Sequence, residues 1–232
     1  MKFPSPLVEG RLERRYQRFF ADVRLPDGSR VTAHCANPGS MKSCWSEQGR
    51  VWLSDSNDPR RKLRLTWELS EAGGARIFVN PLAANRVVHE ALTRGAVAEL
   101  RGYQSLRREV RFGAHTRFDF LLERDDARCF VEVKNVTLGL GKGRAAFPDS
   151  VTERGARHLQ QLIQAVQSGH RAVLLFCVSR SDARSAEPAR DIDPNYAHWL
   201  TRAHHAGVEV LAYKCRISQH GVWLHRPLPV LL

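Results

Sequence analysis

A small closed β-barrel followed by a larger α/β domain is the architecture the sequence predicts, and three observations carry it. Residues 1–80 hold short strand-like runs separated by turn chemistry. At Asn80-Pro81 the periodicity changes from that of strands to that of a helix. From residue 81 to 232, helical and strand-like segments alternate, the order expected of a sheet built through crossovers.

In the first part, strand-like runs occupy 10–16 and 18–25, and the second ends at Pro26-Asp27-Gly28, a sequence that pre-sets the dihedrals of a turn. Further runs follow at 31–35, 51–54, 63–69 and 76–79. Asn37-Pro38-Gly39-Ser40, Ser56-Asn57-Asp58-Pro59 and Gly73-Gly74 stand between them. Several short strands at this spacing predict a small barrel, and an OB-like barrel matches the size.

In the second part, Ala84, Val87, Val88, Ala91 and Leu92 form one apolar stripe at helical spacing, with Gly95 as the stop. Strand-like runs follow at 106–112, 116–122 and 129–136. Ser150-Val151-Thr152-Glu153 has capping-box spacing and predicts a helix to about residue 168. The nearly all-apolar run 171–178 reads as a central strand covered on both faces. Asp193-Pro194 supplies an N-cap and a first-turn proline for a helix ending near Gly207, and 208–217 and 222–232 read as strands or extended tail. Gly139-Leu140-Gly141-Lys142-Gly143 lacks the spacing of phosphate-cradling loops and reads as a flexible basic loop.

Of the 232 residues, 43% are hydrophobic and 26% charged, which excludes long disorder and fibrous repeats. No apolar run is long enough to cross a membrane and the first residues lack the apolar core of a secretory signal, so the expected location is the cytoplasm, with no membrane partner. The five cysteines form no Cys-x-x-Cys pair and read as reduced, buried thiols. A zinc site from His34, Cys35 and Cys44 would have only three ligands at unusual spacing. The net charge of +12 points to a polyanionic partner, because a Lys or Arg laid on a phosphate releases condensed counterions.

The chemistry concentrates in two adjacent strands. In Arg117-Phe118-Asp119-Phe120-Leu121-Leu122, alternation sets Asp119 on the face opposite Phe118, Phe120 and Leu122. In Phe130-Val131-Glu132-Val133-Lys134, Glu132 and Lys134 share a face. If the strands pair through the turn at 123–128, Asp119 and Glu132 converge, and two close carboxylates repel unless a proton or cation lies between them. A hard divalent ion, Mg²⁺ or Mn²⁺, answers that need. Lys134 then serves the attacking water and offsets developing charge. The alternative is a solvated cross-strand salt bridge for Glu132 and Lys134, with Glu90 paired to Arg86 or Arg94.

Arg154, His158 and Gln161 share a face of the following helix and are candidates to approach a scissile phosphate. Glu109 reads as a rim ion pair or a further acid near the metal. In the barrel, Arg11, Arg14, Arg15 and Arg18 cluster with Tyr16 and Phe19, and Arg60, Arg61 and Lys62 precede Trp67. Cations interleaved with aromatics suit a surface that tracks a backbone and stacks bases.

The Asp119 and Glu132-Val133-Lys134 pattern, with Glu90 upstream as a helical acid, resembles the PD-(D/E)XK nuclease group. Longer blocks carry a second resemblance. They include Gly10-Arg11-Leu12 through Arg15-Tyr16, Ala33 to Met41, Arg107-Arg108-Glu109-Val110, Val131 to Leu138, Phe147-Pro148-Asp149, Val151 to Gly155 and Pro227-Leu228-Pro229-Val230. Across nearly the whole chain these are similar to the sugar fermentation stimulation protein A family. The resemblance implies an N-terminal OB-like domain over 1–80 and a restriction-endonuclease-like domain over 81–232. It also implies non-specific DNA binding, a nuclease assignment on DNA or RNA, and a regulatory role in sugar (maltose) metabolism. Residues 42–47 depart from the family pattern, which has glycine and proline in a turn there.

Two functions are therefore expected in competition. One is a Mg²⁺- or Mn²⁺-dependent phosphodiesterase in which Asp119 and Glu132 hold the ion, Lys134 serves the water and Glu90 assists. The other is a DNA-binding accessory factor on a nuclease scaffold that does not cut. A sugar-active enzyme has no support among the residues.

Overall fold

The computed structural model describes residues 1–113 and 116–232. Six strands build the first part: β1 (Val8–Tyr16), β2 (Phe20–Arg24), β3 (Arg30–His34), β4 (Arg50–Asp55), β5 (Leu65–Ala72) and β6 (Ala75–Phe78). β1 pairs antiparallel with β2 and β4, and a parallel contact between β3 and β5 at His34 and Thr66 closes the first five into a barrel. This is OB-like connectivity, as expected from the strand spacing. Leu12, Val23, Ala33, Leu53, Trp67 and Ile77 fill the interior. Gly73 and Gly74, both at positive φ, make the tight β5–β6 turn that an L side chain would strain. Arg18 does not open a strand as its apolar neighbours indicated. It sits with Gln17 in the β1–β2 turn, both at positive φ.

The second part begins with α1 (Pro81–Thr93), which starts three residues before its apolar stripe because the Asn80 side chain caps it by accepting from the Leu82 amide. A six-stranded sheet follows in the order β15-β14-β12-β9-β8-β7. Its strands are β7 (Ser105–Phe112), β8 (Thr116–Arg124), β9 (Ala127–Val136), β12 (Arg171–Val178), β14 (Glu209–Ser218) and β15 (Gly221–Pro227). β12 runs parallel to both β9 and β14 and is almost wholly buried. α1 packs on one face of this sheet, while α2 (Glu153–Gln167) and α3 (Pro194–His205) pack on the other.

The structure departs from the sequence expectation at two further places. The Gly139–Gly143 stretch is not a free loop. It is the hairpin between β10 (Leu138–Gly141) and β11 (Arg144–Phe147), and β11 pairs in parallel with β13 (Ser185–Pro188) in a three-stranded sheet. The cap of α2 is Thr152, whose hydroxyl accepts from the Gly155 amide, rather than Ser150; Asp193 holds Thr152 in place by accepting its backbone N–H.

The two parts are fastened together. The Phe78 amide donates to Ser179 O at 3.0 Å, and the Arg180 guanidinium donates to Thr137 O at 2.9 Å and Ser43 O at 3.2 Å. Trp52, Leu69 and Phe78 of the barrel share one apolar cluster with α1. Met1 to Phe3 dock along β15 rather than on the barrel, so the first residues of the 1–80 segment pack with the α/β domain. Among the described residues no helix is long and apolar enough to cross a membrane. All five cysteines are buried free thiols.

Candidate active site

A cleft of about 830 Å³ opens between the barrel and the sheet. Arg18 and Asn37 to Gly39 line it from the barrel, the start of α1 from below, Glu109 and Arg117 from β7 and β8, and Arg154 and His158 from α2. At its base lie Asp119, Glu132 and Lys134.

The backbone explains why these side chains meet. β8 and β9 pair from Arg124 and Ala127 up to Phe120 and Val131, and the ladder ends there. Beyond it the Asp119 carboxylate takes the vacated position, accepting the Val133 amide at 2.7 Å through Oδ2. Strict alternation also breaks at this point. Phe118 packs with Phe112 and Phe130 on the α2 side, whereas Phe120 stacks on His89 of α1, so the two do not share the face expected of them. Opposite Asp119, Glu109 adopts φ 53°, a left-handed conformation that a glutamate holds only where its surroundings impose it. Glu109 lies at the rim, 3.9 Å from Arg117.

Glu132 is only 3% exposed. Its Oε1 receives Lys134 Nζ at 2.6 Å and His158 Nδ1 at close range. Arg154 Nε donates to His158 Nε2 at 3.3 Å, which leaves the Nδ1 proton for Glu132. Glu132 Oε2 is buried with no hydrogen-bond partner. Burial raises the Glu132 carboxyl, but Lys134 and His158 outweigh it and hold the group below its ordinary value. Asp119 goes the other way. Burial, then the charge of Glu132, push it up to about 6, against opposing hydrogen bonds from the Val133 amide and from Asn85 Nδ2 at 2.6 Å.

The cleft base offers oxygen donors of the kind a hard divalent cation takes. Glu132 Oε2 is unpartnered, and each Asp119 oxygen accepts one hydrogen bond and keeps a lone pair. Among the described residues no cluster of three or more His, Cys, Asp or Glu side chains gathers around a metal position. Two carboxylates with the remaining positions left to water and phosphate suit Mg²⁺, which binds through one or two carboxylates and keeps several waters.

The structure does not bring Glu90 to this site. Its Oε2 lies 2.6 Å from the Met1 nitrogen, in a separate cavity with Arg216 and Trp223. Five helical residues turn through about 140°, so Glu90 and Asn85 cannot face the same way. The α1 residue that reaches Asp119 is Asn85, a neutral side chain that a search for acids passes over. Gln161 lies one turn beyond His158 and is not part of the cleft wall, while Arg154 and His158 are.

The barrel cations divide. Arg18 lines the cleft. Arg15 is partly buried and its Nη2 donates to Asn37 O at 2.8 Å and Gly39 O at 2.9 Å, so it holds the cleft loop instead of facing a ligand. Arg14 pairs with Asp22 at 2.7 Å and lies over Tyr16, Arg11 donates to Gln48 O, and Arg60 pairs with Asp58; Arg61 and Lys62 are exposed on the same β4–β5 loop. None of these five lines the cleft. Asp149 and Asn135 were missed by sequence reasoning. Asp149 accepts the Met41 amide at 3.1 Å, and Asn135 accepts Ser179 Oγ at 2.5 Å beside the base of the cleft.

Two family models match the chain. One, described as SfsA N-terminal OB domain, covers residues 14–79, and the other, described as sugar fermentation stimulation protein RE domain, covers residues 82–221. A sugar fermentation stimulation protein homolog of Maricaulis maris is 54% identical over 233 residues, spanning 100% of this chain and 99% of the relative. The homolog of Pseudomonas aeruginosa strain LESB58 is 52% identical over 235 residues, with both chains covered completely. A solved structure of Pyrococcus furiosus SfsA, described as in complex with Ca²⁺, aligns over 100% of both chains with a TM-score of 0.89 at 26% identity.

Proposed function

This chain belongs to the sugar fermentation stimulation protein (SfsA) family, and from that premise we propose that it binds nucleic acid and hydrolyses phosphodiester bonds with Mg²⁺ or Mn²⁺ held by Asp119 and Glu132. The observation that carries this reading is the buried, unpartnered Oε2 of Glu132 in the same cleft as a second carboxylate raised to about 6. A buried carboxylate oxygen left without a partner is costly unless a ligand completes it. The Ca²⁺ described for the Pyrococcus furiosus relative supports a divalent site in the family.

When bound, the divalent ion supplies Lewis acidity to a phosphate oxygen and to water. The chain's own residues do the rest. Asn85 and the Val133 amide fix the Asp119 carboxylate, and Lys134 and His158 fix that of Glu132. Arg18, Arg117 and Arg154 on the cleft walls draw the phosphate backbone down to that base. Lys134, held at 2.6 Å from Glu132, orients the water and offsets the charge that develops as its oxygen bonds to phosphorus and the bond to the leaving strand breaks. One proton of that water ends on the leaving hydroxyl.

A second reading has its own observation. Glu132 Oε1 is already saturated by Lys134 and His158, the arrangement of a structural ion pair, and a chain of this kind would bind DNA without cutting it. Salt-sensitive DNA binding of either kind would serve the regulatory role in sugar metabolism that the family resemblance implies. The assay that separates the two incubates plasmid and oligonucleotides with Mg²⁺ or Mn²⁺, beside EDTA and Glu132→Ala controls. Products that vanish in both controls support the enzyme; salt-sensitive binding with no product supports the binding protein.

A further inference from the structure

We infer that the cleft takes a single strand of nucleic acid in preference to a duplex, an inference that rests on the proposed nucleic-acid-binding reading and adds the form of the ligand. The barrel wall of the cleft is fixed in place. Met41 N–H and Ser40 Oγ donate to Asp149, the first to Oδ2 at 3.1 Å and the second to the backbone carbonyl at 2.7 Å. Gly39 packs so closely on the Asp149 carboxylate that a Cβ there would meet it at 2.4 Å. From the other side Arg15 clamps the carbonyls of Asn37 and Gly39. These contacts tie the loop to Asp149 on one side and to Arg15 on the other.

The cleft volume of about 830 Å³ falls in the ~300–1,000 Å³ range of clefts that hold one drug-sized ligand. That is room for a short run of nucleotides over the carboxylate pair. A B-form duplex, stiff over ~50 nm, cannot fold its backbone into such a cleft as a single strand can.

The surface beside the cleft is suited to bases rather than to base pairs. Phe19, next to the cleft residue Arg18, is 47% exposed. Tyr16 and Phe20 stack with ring centres 5.3 Å apart, and Arg14 lies 4.6 Å over Tyr16. Unpaired bases offer free π-faces to an exposed ring such as Phe19, whereas a duplex keeps its faces stacked inside.

The test is fluorescence anisotropy of the full-length chain in EDTA, at fixed salt, with a labelled oligonucleotide of about 12 nucleotides presented alone or annealed to its complement. The single strand is expected to bind about ten-fold tighter, and Phe19→Ala, an exposed change that leaves the core intact, to weaken it about five-fold or more. Duplex binding within about two-fold of the single strand would overturn the inference, as would single-strand affinity unchanged in Phe19→Ala. Failure of the nuclease reading looks different: strand preference would persist while neither form gave Mg²⁺-dependent product. Binding of neither form at low salt would remove both.

Discussion

The carboxylate of Asp119 accepts the backbone N–H of Val133 at 2.7 Å, in the position where a strand-to-strand bond between β8 and β9 would otherwise continue. One side chain thus ends a ladder, opens the strands and points a carboxylate at the residue preceding Lys134. Because the splay is what creates the cleft base, chemistry at Asp119 is coupled to the backbone around Glu132.

In the proposed metal site, proton and divalent ion would compete for this pair. Asp119, raised to about 6 by burial and by Glu132, carries its proton below that value and is ionised above it. Its folded value exceeds its ordinary one, so its contribution to stability is fully present below about pH 4 and is lost as pH rises through about 6. A divalent ion bound at the proposed site would reverse that loss above about 6. Mg²⁺ is therefore expected to raise the melting temperature by several degrees near pH 8 and hardly at all near pH 5, with affinity falling about ten-fold per pH unit below 6. Scanning calorimetry across pH, with and without Mg²⁺, measures this. An increment independent of pH would place the ion elsewhere.

Removing Glu132 strands Lys134, which is only 12% exposed. Glu132→Ala is expected to cost about 3 kcal/mol because an ammonium is left without its counter-charge, and Lys134→Met in the same chain should recover most of it. Urea denaturation of the parent, the single and the double variant checks the cycle. Additive losses would mean that the two groups do not interact.

Glu90 and Asn85 sit on one helix with opposite expectations. Glu90→Gln should leave Mg²⁺-dependent cleavage within about two-fold of the parent, since it faces Met1 in a separate cavity. Asn85→Ala removes the 2.6 Å hydrogen bond to Asp119 and should weaken apparent Mg²⁺ affinity about ten-fold or more, as loss of an orienting partner does at metal sites. Mg²⁺ titrations of cleavage rate compare them.

Arg15 and Arg18 are three residues apart and differ in the same way. Arg18→Ala should reduce the slope of log affinity against log salt by about one unit, the signature of one lost phosphate contact. Arg15→Ala should instead lower stability by roughly 1–2 kcal/mol through the freed carbonyls of Asn37 and Gly39. Binding isotherms over a salt series and urea curves for both variants decide it.

How much of this was legible in the sequence depends on how local its cause was. β12 occupies 171–178 as the apolar run indicated, and Asp193 caps α3 as its Asp-Pro signature required. The convergence of Asp119, Glu132 and Lys134 followed from pairing two strands through a short turn. The sheet of β10, β11 and β13 was not legible, because its glycines carry no alternation and its partner strand lies 38 residues or more away in sequence. Glu90 was chosen for its charge, whereas the position facing Asp119 is set by helix rotation and is filled by an amide. Arg15 reads as a surface cation until the carbonyls that it binds, more than 20 residues away, are folded against it.

The most direct measurement is anomalous diffraction from a crystal of the full chain soaked in Mn²⁺. The account predicts a peak within coordination distance of Glu132 Oε2 and an Asp119 oxygen, absent in Glu132→Gln crystals. A cleft base that stays empty of Mn²⁺ while other sites fill, or a peak that survives the substitution, would contradict it.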